Sequence, residues 1–271
     1  MSRVEKRHMK ISICGKGGSG KSTIVTLLAN EFKARGYRVL VVDSDESNSG
    51  LYRMLGFDHS PIPLMELVGG KKGLKEKMAV KFSSGESEPK MEVLTLDKIL
   101  VKDIPPQHIK ESDGLRLVNI GKILHSLEGC ACPMGVLSRE FLAKLYLDED
   151  EIVIVDMEAG VEHFGRGIET SIDVVLVIVE PSFESLELAI KVKQLAAGAG
   201  VKNTWAILNK ITSDAIATRL RDGLARRGME IIGIVHHDPQ VFEACLDGRK
   251  VDGGVVSEEM KKVADALLSK V

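Results

Sequence analysis

The chain has 271 residues, 44% hydrophobic and 28% charged, enough for one large α/β domain with its own core and short for two. No apolar run approaches the roughly 20 residues of a membrane-spanning helix, and 37 Lys plus Arg against 39 Asp plus Glu leave no basic excess of the kind that marks a nucleic-acid surface. A single soluble domain over residues 1–271 is expected, with no membrane or nucleic-acid partner.

Residues 1–8 are charged and run directly into an apolar strand, without the apolar stretch and cleavage site of a secretory signal, so a cytoplasmic location is expected. Four cysteines, Cys14, Cys130, Cys132 and Cys245, are too few and too unevenly spaced for a disulfide framework. Their special use, if any, is metal or redox chemistry.

Short Val, Ile and Leu runs at 10–14, 38–42, 115–120, 151–155, 174–179, 204–208 and 231–235 alternate with helix-length amphipathic stretches. Continuous apolar runs of this kind read as strands buried on both faces of a parallel sheet. The alternation predicts a doubly wound α/β fold, a mostly parallel sheet of about seven strands with helices on both faces. Gly36 closes the helix after the first strand, Gly198 and Gly200 close the one before Val201, and Ser257 opens the last. Over residues 57–114 the pattern degrades into Gly69-Gly70-Lys71-Lys72-Gly73, Ser83-Ser84-Gly85 and Pro105-Pro106. This stretch reads as an irregular excursion from the core, and it carries no recognisable motif.

The strand ending at Cys14 is followed by Gly15-Lys16-Gly17-Gly18-Ser19-Gly20-Lys21-Ser22-Thr23 and a helix over 22–35. Strand, Gly-x-x-x-x-Gly-Lys-Ser and helix together make a phosphate loop, the nucleotide site of a P-loop NTPase. Its glycines let backbone N–H groups converge on phosphate oxygens, the helix N-terminus adds partial positive charge, and Lys21 pairs with the β- and γ-phosphates. Ser22 offers its hydroxyl to a magnesium ion. A glycine-rich turn that merely opens a helix would not need all eight positions.

Asp43 and Asp45 follow the second strand, at the carboxyl edge where α/β sheets place ligands, although acidic residues there also cap helices. Asp156 ends the strand 151–155, as a carboxylate in the outer shell of a magnesium ion commonly does. Asn209-Lys210 follows the strand 204–208, where a GTPase carries Asn-Lys-x-Asp; position 212 is Thr, so guanine lacks its acceptor. In Glu128-Gly129-Cys130-Ala131-Cys132-Pro133, Pro133 biases Cys132 to an extended backbone, on which residues two apart face the same way. Both sulfurs can then meet one ion, and a two-fold dimer would supply four thiolates to zinc, nickel or an iron–sulfur cluster. A pair of ordinary reduced thiols is the alternative.

The string Gly-Lys-Gly-Gly-Ser-Gly-Lys-Ser resembles the deviant Walker A motif of the MinD, ParA and nitrogenase iron-protein ATPases. That resemblance implies ATP-dependent homodimerisation, with Lys16 reaching the partner's nucleotide as Lys21 holds its own. It further implies that Asp43 helps hold the magnesium shell, that Asp45 positions the attacking water, and that Asn209, Lys210, Asp238 and Pro239 surround adenine. The Cys-x-Cys segment, followed by Asp156-Met157-Glu158-Ala159-Gly160-Val161-Glu162-His163-Phe164-Gly165-Arg166-Gly167, resembles the CooC-type accessory ATPases over nearly the whole chain. In that family paired cysteines of two protomers bind nickel or zinc, and ATP turnover accompanies nickel delivery to carbon monoxide dehydrogenase.

Two other functions share parts of this pattern. A MinD- or ParA-like positioning ATPase would leave Cys130 and Cys132 unexplained, and the stripe Met260, Val263, Leu267 and Val271 suits packing on the sheet better than a membrane surface. An iron–sulfur reductase or scaffold also uses two cysteines per protomer, but not at Cys-x-Cys spacing. Cys14 is expected to be a buried hydrophobe and Cys245 to pack in a helix with Phe242 and Leu246. The pair His236-His237 is not read as a metal site, because adjacent residues of an extended segment face opposite ways, and His163 and Arg166 are left open between lining a switch or the dimer interface and a surface network.

Overall fold

The computed structural model of the protein describes residues 7–74, 76, 94–122 and 132–271, with Cys132 described in its backbone alone. In chain order the elements are β1 (Met9–Gly15), α1 (Lys21–Ala34), β2 (Arg38–Asp43), α2 (Leu51–Met54), β3 (Ile99–Leu100), β4 (Ile109–Ser112), β5 (Leu115–Asn119), α3 (Cys132–Lys144), β6 (Leu145–Tyr146) and β7 (Glu151–Asp156). They continue with α4 (Glu162–Gly165), β8 (Val174–Val179), α5 (Phe183–Gly198), β9 (Asn203–Ile211), α6 (Asp214–Ala225), β10 (Ile231–His236), α7 (Pro239–Leu246) and α8 (Val256–Lys270).

The main sheet has eight strands in the order β10-β9-β8-β1-β7-β2-β5-β4. Every pairing is parallel except β4 against β5. The seven apolar runs of the sequence are its seven parallel strands; the eighth, β4, corrects the expected number. Ile109-Lys110-Glu111-Ser112 holds one apolar residue because an edge strand is half solvated and needs no continuous apolar run. Its link to β5 is Asp113-Gly114, both at positive φ (50° and 76°), the backbone that a two-residue hairpin turn requires. A second, two-stranded sheet pairs β3 with β6.

Side chains alternate between two apolar layers. Val175, Val177 and Val179 of β8 join one, with Leu137 and Phe141 of α3 and Val192 of α5, while Val174, Leu176 and Ile178 join the other, with Ile24, Leu28 and Phe32 of α1 and Met260, Val263 and Leu267 of α8. Apolar sequence on both faces of each strand is what such burial demands. The α8 stripe therefore packs inward, as its periodicity predicts. Parts of the 57–114 stretch also belong to the core: Leu64, Met65, Val68, Leu74, Ile99, Val101 and Ile104 are buried in the first layer. No described helix is long and apolar enough to cross a membrane.

After β7 the chain crosses to β8, on the other side of β1. The strand order thus diverges around β1, and crevices at the carboxyl ends of such strands are where α/β folds take their ligands. The phosphate loop leaves β1 at that point.

Candidate functional site

The loop between β1 and α1 is held by close packing that only glycine allows at two positions. Gly15 has φ +149°, and a Cβ on it would lie 2.7 Å from the carbonyl of Ile178; Gly20 has φ +93°, and its Cβ would lie 2.3 Å from Asn209 Nδ2. Asn209 in turn donates to the carbonyl of Ser19 at 2.8 Å, binding the loop to the end of β9. Gly20 is also the N-cap of α1 and provides no side-chain cap. The first N–H groups of the helix therefore remain directed at the loop, an arrangement suited to phosphate.

Beside the loop lies a cleft of about 410 Å³, whose walls include Lys21, Ser22, Asp45, Asn209, His237 and Cys245. Of the other sequence-derived nucleotide residues, Gly18, Gly20, Thr23, Lys210 and Asp238 also line it, whereas Gly15, Lys16, Gly17, Ser19 and Pro239 do not. Asp238 caps α7, accepting from the N–H groups of Gln240 at 2.8 Å and Val241 at 3.4 Å, and Pro239 takes the first helical turn. Lys210, at φ +58°, folds back to the carbonyl of Gly18 and to Glu180 Oε2 at 3.4 Å. Lys16 sits at the outer rim, 40% exposed, with its Nζ 3.5 Å from Glu180 Oε1.

The carboxylates converge from the ends of two strands, Asp43 and Asp45 at β2 and Asp156 at β7. Ser22 Oγ donates to Asp156 Oδ2 at 2.6 Å, and Asn48 Nδ2 donates to Ser22 Oγ at 2.8 Å. Asp156 is fully buried and its Oδ1 has no partner. Burial, then the nearby Asp43, raises its pKa to about 7. Asp43 is raised to about 6 by burial, which the Lys122 ammonium 2.7 Å away partly offsets. Asp45 Oδ1 accepts from Ser47 N at 2.9 Å, Ser47 Oγ at 2.6 Å and Asn48 N at 3.3 Å, fixing the turn after β2. An orphaned carboxylate oxygen beside a hydroxyl fits a magnesium ion, which commonly takes one or two protein ligands and completes its shell with phosphates and water. Among the described residues no group of three or more His, Cys, Asp or Glu is placed to hold a metal ion.

Other charged side chains stand beside the site. Lys122 donates to Asp43 Oδ1 and to the carbonyl of Asp45. Glu158 pairs with Arg166 and shares a hydrogen bond with Glu46; burial first, and that second carboxyl next, raise its pKa to about 7. Lys122 is a single lysine whose partners lie elsewhere in the chain, so no local pattern betrays it, and the sequence holds Glu158 and Arg166 in one segment without showing that they pair. His163 belongs to no surface network: it is fully buried, with Nε2 3.2 Å from the equally buried Glu169 Oε1, a contact that does not meet hydrogen-bond geometry. Cys14 is buried, as expected. Cys245 corrects the reading of a core thiol. It is exposed and lines the cleft, 3.7 Å from Thr23 Oγ1, because α7 turns Phe242 and Leu246 outward as well. Cys130 lies outside the described residues, and nothing is described of the Cys132 side chain, so the Cys-x-Cys ligand set has no geometry here.

A phosphate loop at the divergence point of a doubly wound parallel sheet, with acidic residues on the flanking strands, defines a P-loop nucleotide-binding protein. The chain belongs to the CobQ/CobB/MinD/ParA nucleotide-binding domain family, whose description matches residues 11–251, and it is an ATPase of that family. It is 40% identical, over 96% of its length and 99% of the relative's, to an uncharacterized ATP-binding protein of Methanocaldococcus jannaschii. It is 35% identical to the carbon monoxide dehydrogenase accessory protein CooC of Rhodospirillum rubrum, over 76% of this chain and 75% of that one. Among solved structures it resembles the septum site-determining protein MinD of Pyrococcus horikoshii, complexed with Mg-ADP, with a TM-score of 0.68, 17% identity and coverage of 97% and 98%. At that identity the likeness speaks for the fold alone.

Proposed function

We propose that the chain is an ATP-hydrolysing metallochaperone of the CooC kind, a single cytoplasmic ATPase domain over residues 1–271 that dimerises with ATP and delivers nickel to carbon monoxide dehydrogenase. The observation that carries this reading is the coexistence of the phosphate loop with Cys130-x-Cys132 in a chain 35% identical to CooC. A positioning ATPase leaves that cysteine pair without work, and in this chain the α8 stripe that a surface-binding helix would offer is buried.

In this reading the β- and γ-phosphates of ATP lie against the loop N–H groups and Lys21, and Asn209, Lys210, Asp238 and Pro239 frame the adenine. Ser22, Asp43 and Asp156 would hold magnesium, which would neutralise phosphate charge. Asp45 positions a water whose oxygen bonds to the γ-phosphorus as the bond to the bridging oxygen breaks, giving ADP and phosphate. Lys16, at the exposed rim, is suited to reach the nucleotide of a second protomer and stabilise charge on the departing group. Nickel is the cargo delivered, and Cys130 and Cys132 of two protomers bind nickel or zinc.

Transfer itself is the test. Nickel-free carbon monoxide dehydrogenase is mixed with the nickel-loaded, ATP-supplied protein, either wild type or Cys130→Ala/Cys132→Ala. Activation by wild type and none above free nickel by the double variant is expected; equal activation by both removes the cysteines from the function.

A further inference from the structure

Three residues on one face of α3 meet the two turns that carry the acidic residues of the site. Gly135, Ser138 and Arg139 have the spacing that puts helical residues side by side. Arg166, which pairs with Glu158 in the turn after β7, passes so close to Gly135 that a Cβ there would lie 2.3 Å from its Cδ, and Arg139 donates to the Arg166 carbonyl at 3.3 Å. Ser138, fully buried, shares a 2.9 Å hydrogen bond with the hydroxyl of Ser44, the residue between Asp43 and Asp45.

From Ser44 an unbroken run of contacts leads to the nucleotide cleft. Its N–H donates to the carbonyl of Asp156 at 3.0 Å. Asp43 still belongs to the sheet, in register with Asp156 of β7 and Asn119 of β5. Asp45 lies beyond the strand, and its Oδ1 closes the turn by accepting from the N–H groups of Ser47 and Asn48. Asn48 donates to Ser22 Oγ at 2.8 Å, and Ser22 to Asp156 Oδ2 at 2.6 Å. Asp45, Asn48 and Ser22 all line the cleft. Sheet pairing thus fixes Asp43 and stops there; the turn that carries Asp45 and Asn48 is anchored to the body of the protein by side chains, Lys122 at the Asp45 carbonyl and Ser138 at Ser44.

We propose that Ser138 is a positioning residue for ATP turnover, which holds the turn after β2 so that Asp45 faces the cleft and Asn48 seats the Ser22 hydroxyl. The inference rests on the roles proposed above for Ser22 and Asp45. A fully buried hydroxyl has no water to turn to, so its bond to Ser44 is kept, and the turn is kept with it. A displacement of about 1 Å at a positioned group costs up to about 100-fold in rate.

The test is a double-mutant cycle on the full-length protein: wild type, Ser138→Ala, Ser44→Ala and both together. Steady-state turnover is measured beside magnesium-free ADP binding and hydrogen–deuterium exchange of the nucleotide-free protein. Each single variant should speed exchange in peptides covering 43–48, where the Ser44, Ser47 and Asn48 amides report the turn, and lower kcat about fivefold to tenfold. ADP affinity should stay within about twofold. Because the two hydroxyls act through each other, the double variant should be no slower than either single one. Ser44→Ala, at a half-buried position, carries the test if Ser138→Ala does not fold. Wild-type kcat in a folded single variant, unchanged exchange at 43–48, or single effects that multiply in the double variant overturns the proposal. An Asp45→Asn control separates the two readings. Full turnover there refutes the role of Asp45 and leaves Ser138 to be judged by the cycle; lost turnover there with wild-type kcat in Ser138→Ala refutes the positioning alone.

Discussion

The hydroxyl of Ser22 donates to Asp156 Oδ2 across 2.6 Å, linking the first turn of α1 to the end of β7. The other oxygen of that carboxylate, buried and unpaired, is the natural place for a cation. Asp156→Asn keeps the shape and removes the charge, so magnesium-dependent ATP turnover should fall roughly 100-fold or more, while magnesium-free ADP binding persists. Steady-state phosphate release and fluorescent-nucleotide titration decide it; turnover within a few-fold of wild type would remove Asp156 from the magnesium site.

Gly20 faces Asn209 so closely that a methyl group cannot fit without displacing it, and its φ of +93° disfavours any side chain. Gly20→Ala should destabilise the fold by about 1–3 kcal/mol and weaken nucleotide binding, because Asn209 would lose the Ser19 carbonyl. Urea denaturation with parallel nucleotide titration measures both. A variant as stable and as avid as wild type would show that the loop accommodates the methyl group.

Cys245 lines the cleft 3.7 Å from Thr23, whereas Cys14 is fully buried. Iodoacetamide should therefore modify Cys245 and spare Cys14, and saturating ATP analogue should slow modification of Cys245 several-fold. Mass spectrometry of the modified peptides gives both rates, and unchanged labelling with nucleotide bound would place the nucleotide away from α7.

Burial raises the Glu169 pKa to about 7 and lowers that of the adjacent His163 to about 3. The histidine is thus neutral above pH 5. The raised carboxyl contributes stability that is present below its unfolded pKa and lost as pH rises through about 7. Glu169→Gln should not lose that contribution, so its stability relative to wild type should rise between pH 5 and pH 8, by on the order of 2 kcal/mol. Denaturant midpoints at the two pH values test this; a difference independent of pH would mean that the carboxylate is accommodated when charged.

The parts of this molecule that were legible in the sequence are those whose signal is local. Gly15 to Ser22 occupies consecutive positions, Asp43 and Asp156 each end an apolar run and Asp45 lies two residues past the first of them, so the loop and its acidic neighbours are legible without their distances. Lys122 is not, because its meaning lies in Asp43, a residue 79 positions away. In the sequence Phe242 and Leu246 suggest an apolar face that would carry Cys245 into the core, yet α7 lies at the cleft mouth with those side chains outward. The edge strand β4 was missed for the complementary reason: half-solvated, it lacks the apolar run by which the buried strands are known.

The central claim, that a nucleotide-driven dimer carries its cargo on Cys130 and Cys132, meets its most direct test in equilibrium titration of the purified protein with nickel. Wild type and Cys130→Ala/Cys132→Ala are titrated with and without ATP, and protein mass is followed by light scattering. The account predicts about one ion per two chains, as four thiolates shared by a dimer require, lost in the double variant while nucleotide binding remains. Unchanged nickel stoichiometry in that variant would contradict it.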